Sequence, residues 1–148
     1  MLLKGLALSL VSSMAWCVLF NVPVRTIFAG GVAGMVGFLV SSLLPILNAE
    51  VLLSTFVSAA IVSLLSQGMS IYLRVPSTNF SVAGIIPLVP GSLAYRSMLA
   101  FVNNNYIEGI TLATKTLMVA GAIASGLIFG ISVVTIVKGA RHAGKRAQ

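Results

Sequence analysis

The chain has 148 residues, of which 58% are hydrophobic and only 7% are charged, and its mean hydropathy is +1.09. A soluble domain carries about 25% charged residues, and two acidic with nine basic side chains cannot cover a water-facing surface of this size. The composition argues against a soluble enzyme, a disordered chain and a secreted disulfide scaffold. It predicts an integral membrane protein of the all-α class.

The formal net charge of +7 is concentrated at the C-terminal end of the chain. Four basic residues follow the final apolar run, and no aromatic residue is interleaved with them: Lys138, Arg141, Lys145 and Arg146. This arrangement favours a cytoplasmic flank of a membrane segment over a nucleic-acid surface.

The N-terminal segment has some features of a secretory signal. Lys4 precedes an apolar run, and Cys17 suggests a lipoprotein cleavage site. Trp16 occupies the position where a small residue is needed, and no small-residue cleavage site follows. We interpret the segment as an uncleaved first transmembrane helix.

Five apolar segments joined by short connections predict five transmembrane spans, because about 20 apolar residues are needed to cross the hydrocarbon core. They form a membrane domain over residues 1–137, followed by a basic tail at 138–148. The predicted spans are 5–20, 27–47, 51–73, 80–102 and 116–137.

The distribution of charged residues predicts the orientation of these spans in the cell membrane. With the N-terminus outside and the C-terminus cytoplasmic, Arg25 and Arg74 fall in cytoplasmic connections, and Glu50 and Glu108 fall outside. A re-entrant fourth segment would leave four spans and place Arg74 and the basic tail on opposite sides. Five spans fit the positive-inside rule better.

The fourth segment is interrupted near its middle by Pro87, Pro90 and Gly91. Each proline removes a backbone donor and clashes with the preceding turn, so we expect a helix that is broken there. In lipid, the freed backbone groups must face protein or a water-filled cavity. Broken helices of this kind form substrate sites in secondary transporters.

The residues that follow the break predict an anion site at mid-membrane depth. Gly91 and Ser92 would begin a second half-helix, whose N-terminus attracts a carboxylate. Tyr95 lies one turn further on, and Arg96 is a charge placed well inside an apolar run. The alternative is a kinked structural helix whose Arg96 extends to the membrane interface.

Two segments carry small residues at helical spacing, which lets helix backbones approach closely. These faces predict packing within the bundle, with contact to a partner chain as the alternative. The glycines concerned are Gly30, Gly34, Gly37, Gly126 and Gly130.

Catalysis by this chain is not expected. No apolar segment carries an Asp or Glu, and His142, the only histidine, lies in the basic tail. Paired carboxylates, nucleophile–base sets and metal-ligand clusters are missing from the sequence, so we expect neither a metal nor a cofactor. A proton relay, if transport uses one, is expected on another polypeptide.

The motif Phe20-Asn21-Val22-Pro23, and the run 85–91 (IIPLVPG) with Tyr95 after it, resemble the threonine/serine exporter family. The resemblance is closest to the short membrane component of its split systems and covers nearly the whole chain. It implies one half of an inverted-repeat transporter, acting with a longer membrane subunit that carries a soluble region. It also implies export of threonine and serine or of a dicarboxylate such as succinate. Asn21 is a weaker candidate for the binding site.

We therefore expect a membrane subunit of a secondary exporter for small carboxylate-bearing metabolites, working by alternating access. Two other functions remain open from the sequence. A self-assembling, holin-like pore would work without a partner and discriminate poorly between solutes. A scaffold subunit of a larger membrane complex would pack its broken helix against protein, with no solvated cavity.

Overall fold

The computed structural model describes residues 2–146, with side chains described at 2–46 and 48–137. Within these residues the secondary structure is helical with no strand, which confirms the predicted all-helical class. Residues 147–148 and the side chains of the predicted basic tail lie outside the described residues. The helices are α1 (Leu2–Leu19), α2 (Val24–Leu43), α3 (Val51–Leu73), α4 (Ser77–Ile85), α5 (Gly91–Val102) and α6 (Tyr106–Arg146).

Four of these helices are long and apolar enough to cross a membrane, namely α1, α2 with its following 3₁₀ turn, α3 and α6. The pair formed by α4, with the 3₁₀ turn after it, and α5 is bent by 52° and brings the number of candidate spans to five when it is counted as one. A bend of this size fits a broken span or a re-entrant loop.

Left-handed residues and prolines end and restart the helices at the tight connections. Asn21, Asn48 and Asn104 have φ angles of 53°, 61° and 60°, a conformation that asparagine tolerates better than most residues. Arg74, which follows α3, adopts the same conformation with φ 55°. Proline then precedes the next helix at α2 and α4, so the connections stay short.

Small side chains on α1 and α2 allow an antiparallel hairpin with closely spaced backbones. A Cβ atom added to Gly30 would meet Cys17 Sγ, and one added to Gly34 would meet Ser13 Oγ. On the other side of α2, a Cβ atom on Gly37 would lie 3.1 Å from the carbonyl oxygen of Gly84 in α4. These glycines of α2 therefore lie at helix–helix contacts within the chain.

The long helices α3 and α6 pack side by side and run in the same direction. Gly126 faces Phe56 and Ala59, and one turn later Gly130 faces Ser63, so position numbers rise together on both helices. The Ser63 hydroxyl donates to the carbonyl oxygen of Leu127 at 3.0 Å. The start of α6 therefore lies towards the same end of the bundle as the start of α3.

The main apolar cluster joins this α3–α6 seam to the break between α4 and α5. Leu88, the last residue of the 3₁₀ turn, packs with buried residues of both long helices. The other members of the cluster are Ala59, Val62, Val119 and Ile123. The break is thereby anchored at a fixed depth in the bundle, next to α3.

Helix α6 begins at Tyr106, ten residues before the predicted span 116–137, and has 41 residues. At about 1.5 Å per residue it is about 61 Å long, twice the roughly 30 Å of a bilayer core. Its first turns are supported by α5, where the buried Ser97 hydroxyl donates to the carbonyl oxygen of Gly109 at 2.8 Å. This support comes from contacts with another helix, and a hydropathy pattern does not predict such contacts.

Candidate functional site

The candidate site is the interruption between α4 and α5. Helix α4 ends at Ile85, a 3₁₀ turn covers Ile86–Leu88, and α5 begins at Gly91. Pro90, with φ −78° and ψ 50°, forms an inverse γ-turn in which the Gly91 N–H donates to the Val89 carbonyl oxygen at 2.8 Å. The turn redirects the chain immediately before the new helix.

The first turn of α5 leaves two backbone donors unused. The N–H of Ala94 donates to the carbonyl oxygen of Pro90 at 3.1 Å, which closes the first helical turn. Among the described residues, no backbone acceptor pairs with the N–H groups of Ser92 and Leu93. Free N–H groups at a helix N-terminus carry partial positive charge and attract anions.

The side chains predicted to surround this terminus are accessible. Ser92, Tyr95 and Arg96 are exposed, Tyr95 to 69%, and a Cβ atom added to Gly91 meets nothing within 4 Å. The α5 terminus is therefore an open face of this chain, which a ligand or a second protein surface can approach.

Pro87 lies on the other side of the break, against α1. It lines a cavity of about 280 Å³ whose polar groups are two serine hydroxyls of α1. The remaining lining residues are Gly5, Leu8, Ser9, Ser12 and Phe38. The break therefore has one open face at the start of α5 and a second, shallow and mostly apolar face against α1.

Asn21 is placed away from the break. It lies in the connection after α1, in the left-handed conformation, and is exposed. Pro87 shares its cavity with Ser9, and Asn21 lies twelve positions after Ser9, just beyond the end of α1 at Leu19 and about 18 Å away along the helix axis. The structure thus brings Pro87, Pro90, Gly91 and Ser92 together and leaves Asn21 near another cavity.

That other cavity, of about 220 Å³, contains polar residues that the predicted spans leave in the connection between the third and fourth segments. Thr78 and Asn79 belong to the first turn of α4 and face the end of α1. The signal for a helix start was present as Pro76-Ser77-Thr78-Asn79 before an apolar run. The other lining residues are Cys17, Phe20, Val22, Val82 and Ala83.

Comparison with known proteins identifies the chain's relatives. Residues 5–133 match the family model described as Threonine/Serine exporter, ThrE. An uncharacterized protein of Haemophilus influenzae is 27% identical over 133 residues, which cover 89% of this chain and 44% of that protein. The chain thus spans less than half the length of this relative.

No solved structure matches the chain significantly. The family match covers most of the five predicted spans, and several described helices are apolar enough to cross a membrane. The chain is therefore a multi-pass membrane protein that belongs to the threonine/serine exporter family, a family of transporters.

Proposed function

We propose that this chain is the membrane subunit of a secondary exporter for small carboxylate-bearing metabolites. The substrates are threonine and serine, or a dicarboxylate such as succinate. A longer subunit with a soluble region completes the transporter, and the two membrane halves form an inverted repeat. The family match supports the transport role, and the match covers 44% of a relative's length, about the share expected of one membrane half.

In this proposal α4 and α5 form one broken span. The parallel packing of α3 and α6 supports it, because a chain that crosses once in α3 must return before it can cross in the same direction again. The α4–α5 pair is the segment that lies between them. The N-terminus is then outside and the C-terminus cytoplasmic in the cell membrane, as the positions of the basic residues favour.

The substrate carboxylate binds at the N-terminus of α5. The observation that carries this proposal is the pair of unpaired N–H groups on Ser92 and Leu93 at an accessible helix start. The Ser92 hydroxyl donates a further hydrogen bond, with Tyr95 and Arg96 in support. Pro87 and Pro90 shape the break so that these donors face the substrate and not their own helix.

The exposed position of the site agrees with an alternating-access mechanism in which two subunits enclose the substrate. Because Tyr95 and Arg96 face away from the other helices of this chain, the partner subunit supplies the opposite wall. Movement of one half against the other exposes the carboxylate site to the cytoplasm and then to the outside.

Efflux from loaded cells tests the proposal, with the chain expressed alone and beside its longer partner. Threonine, serine and succinate are followed for the wild type, for Gly91→Leu and for Gly68→Leu. Both glycines lie in helices, and at each of them a Cβ atom would meet nothing within 4 Å, so the two positions are matched in the space at the backbone. Leucine at position 91 covers the free N–H groups, and leucine at position 68 in α3 does not.

We expect efflux only when both chains are present. It should be lost in Gly91→Leu, although the variant reaches the membrane in unchanged amount, and it should be retained in Gly68→Leu. Retained efflux in Gly91→Leu contradicts the carboxylate site. Unselective leakage from this chain alone supports a pore, and absence of efflux in every condition supports a scaffold subunit.

A further inference from the structure

Two arginines, one at the start of α2 and one just after α3, line the same cavity at one end of the bundle. Arg25 lies in the first turn of α2, and Arg74 follows α3. The cavity measures about 340 Å³ and opens between the ends of these helices. The remaining lining residues are Pro23, Thr26, Tyr72, Leu73 and Val75.

Neither of the chain's two acidic residues is placed to neutralise this pair. Glu50 immediately precedes α3 and Arg74 immediately follows it, so the helix separates them by roughly 34 Å. Glu108 lies in the first turn of α6, towards the same far end, because α3 and α6 are parallel. The cavity therefore combines two positive charges with no carboxylate among its lining residues.

The N-terminus of α2 adds backbone donors to the same wall. The Thr26 N–H and hydroxyl both donate to the carbonyl oxygen of Pro23, each at 2.8 Å. In the described part of the chain, the N–H groups of Val24 and Arg25 pair with no backbone acceptor. A 20-residue helix directs its positive end at this point, which favours an anion with several acceptor oxygens.

The surroundings of the cavity are those of a membrane interface. Tyr72 at the rim is 88% exposed, as is typical of aromatic residues at the headgroup level. Val24, Phe28 and Ile71, on the adjacent turns of α2 and α3, are exposed apolar side chains. A ligand that combines a phosphate with hydrocarbon chains fits this arrangement better than a free anion does.

We propose that the cavity between Arg25 and Arg74 binds the phosphate of an anionic phospholipid headgroup. The two guanidinium groups and the N-terminus of α2 contact the phosphate oxygens, and the acyl chains lie along the apolar surface of α2 and α3. Basic pockets between membrane helices recognise headgroups in this way. The site is separate from the carboxylate site proposed at α5 and does not depend on it.

Native mass spectrometry of the purified full chain tests the proposal. The protein is released from nanodiscs of phosphatidylcholine with or without phosphatidylglycerol, and retained lipids are counted. The variant Arg25→Ala/Arg74→Ala is compared with Lys4→Ala/Lys115→Ala, which also removes two positive charges. Lys4 lies near the start of α1, and Lys115 of α6 lies beside the start of α3. Both lysines are away from the cavity.

We expect the wild type and the lysine variant to retain one phosphatidylglycerol in preference to phosphatidylcholine, and the arginine variant to lose this preference at least tenfold. Equal retention by the arginine variant, or equal loss in the lysine variant, overturns the proposal. Inorganic phosphate is added to the phosphatidylglycerol nanodiscs as a competitor. Displacement of the lipid at millimolar phosphate shows that a free anion is the ligand and also overturns it.

Discussion

The interior of this bundle is made largely from small and hydroxyl-bearing residues. On α3, Ser58 and Ser66 are completely buried, and their hydroxyls donate to the carbonyl oxygens four residues earlier, each at 2.7 Å. A buried hydroxyl is costly in lipid unless it is hydrogen-bonded, and these serines satisfy that requirement within their own helix. The helices can then approach closely without a network of hydrogen bonds between them.

Gly126 and Gly121 provide a matched pair for testing how strongly close approach contributes to stability. A Cβ atom on Gly126 would meet the Phe56 carbonyl oxygen and lie 2.9 Å from Ala59 Cβ, whereas one on Gly121 meets nothing within 4 Å. We expect Gly126→Ala to destabilise the protein by about 1–3 kcal/mol through overpacking. Gly121→Ala should be neutral or slightly stabilising, because alanine favours helix formation.

Thermal unfolding in detergent can be followed with a thiol-reactive dye, because Cys17 is the chain's single cysteine and is 1% exposed. The dye reacts as α1 separates from the bundle. A lower Tm for Gly126→Ala than for Gly121→Ala is the expected result. Equal Tm values for the two variants would show that α3 and α6 do not pack at Gly126 as the structure has it.

Ser13 and Ser63 allow the effect of a buried hydroxyl on stability to be compared with and without a hydrogen bond. Ser13 Oγ is buried with no hydrogen-bond partner in the described part of the chain, and Ser63 Oγ donates to α6. We expect Ser13→Ala to leave stability unchanged or raise it by up to about 1 kcal/mol, and Ser63→Ala to lower it by about 0.5–1.5 kcal/mol. Urea or heat unfolding of both variants measures the difference in stability. A larger loss of stability in Ser13→Ala than in Ser63→Ala would contradict the hydrogen-bond status given to these two hydroxyls.

At the scale of elements, α5 differs from the other helices because it packs mainly against α6. Its buried face is short, with Ser97 and Ala100 directed inward. Most of the opposite face is exposed, including Met98 and Val102. Because few tertiary contacts hold a helix that packs on one side only, we expect α5 to open locally more readily than the buried α3.

Removal of the Ser97 hydroxyl should loosen α5 selectively. Ser97→Val deletes the 2.8 Å hydrogen bond to Gly109, which we expect to cost about 0.5–1.5 kcal/mol. Backbone amides of α5 should then exchange roughly 2- to 10-fold faster, with α3 unaffected. Hydrogen–deuterium exchange measured by mass spectrometry detects this.

The control for that experiment is Thr111→Val, which removes an exposed hydroxyl that bonds only to the Ile107 carbonyl oxygen of its own helix, at 2.8 Å. It removes a hydroxyl group from α6 whose hydrogen bond does not involve α5. Equal acceleration in both variants, or none in Ser97→Val, would contradict the role given to the α5–α6 hydrogen bond.

The sequence predicted the elements better than it predicted their arrangement. The lengths of the apolar segments predict an all-helical membrane protein, and Pro87 and Pro90 predict where the fourth segment is interrupted. The first turns of α6 pack against α5, and Arg25 and Arg74 share a cavity because the start of α2 lies beside the end of α3. Tertiary contacts of this kind leave no periodic signal in a single sequence.

For the candidate site, the sequence predicted which residues flank the break but not their exposure. Proline and glycine spacing identifies a helix start at Gly91, which is a local property. Whether Tyr95 faces a cavity or the outside of the chain depends on the direction of α5, and the 52° bend at the break sets that direction. Asn21 is a candidate only through the resemblance, and no local rule predicts that it lies roughly 18 Å along α1 from Ser9, the residue that shares a cavity with Pro87.

At the scale of the whole molecule, helix directions constrain how the chain is threaded through the membrane. Glu50 precedes α3 and Glu108 lies in the first turn of α6, and the two helices are parallel, so both acidic residues lie towards one end of the bundle. Arg25 and Arg74 lie at the other end, together in one cavity. Separation of both acidic residues from these two arginines is the arrangement that five crossings require, and the side of the membrane on which each end lies stays a prediction.

Labelling of single cysteines with a membrane-impermeant maleimide tests this threading in intact cells. In a Cys17→Ser background, we expect Glu50→Cys and Glu108→Cys to be labelled from outside, and Tyr72→Cys in the last turn of α3 to be labelled only after permeabilisation. A re-entrant α4–α5 pair would place position 108 with position 72 and opposite position 50, which contradicts five crossings. If positions 50 and 108 instead react together only after permeabilisation, the five crossings stand and the orientation is inverted. The comparison of positions 50 and 108 thus tests the broken span, and the side on which they react tests the orientation.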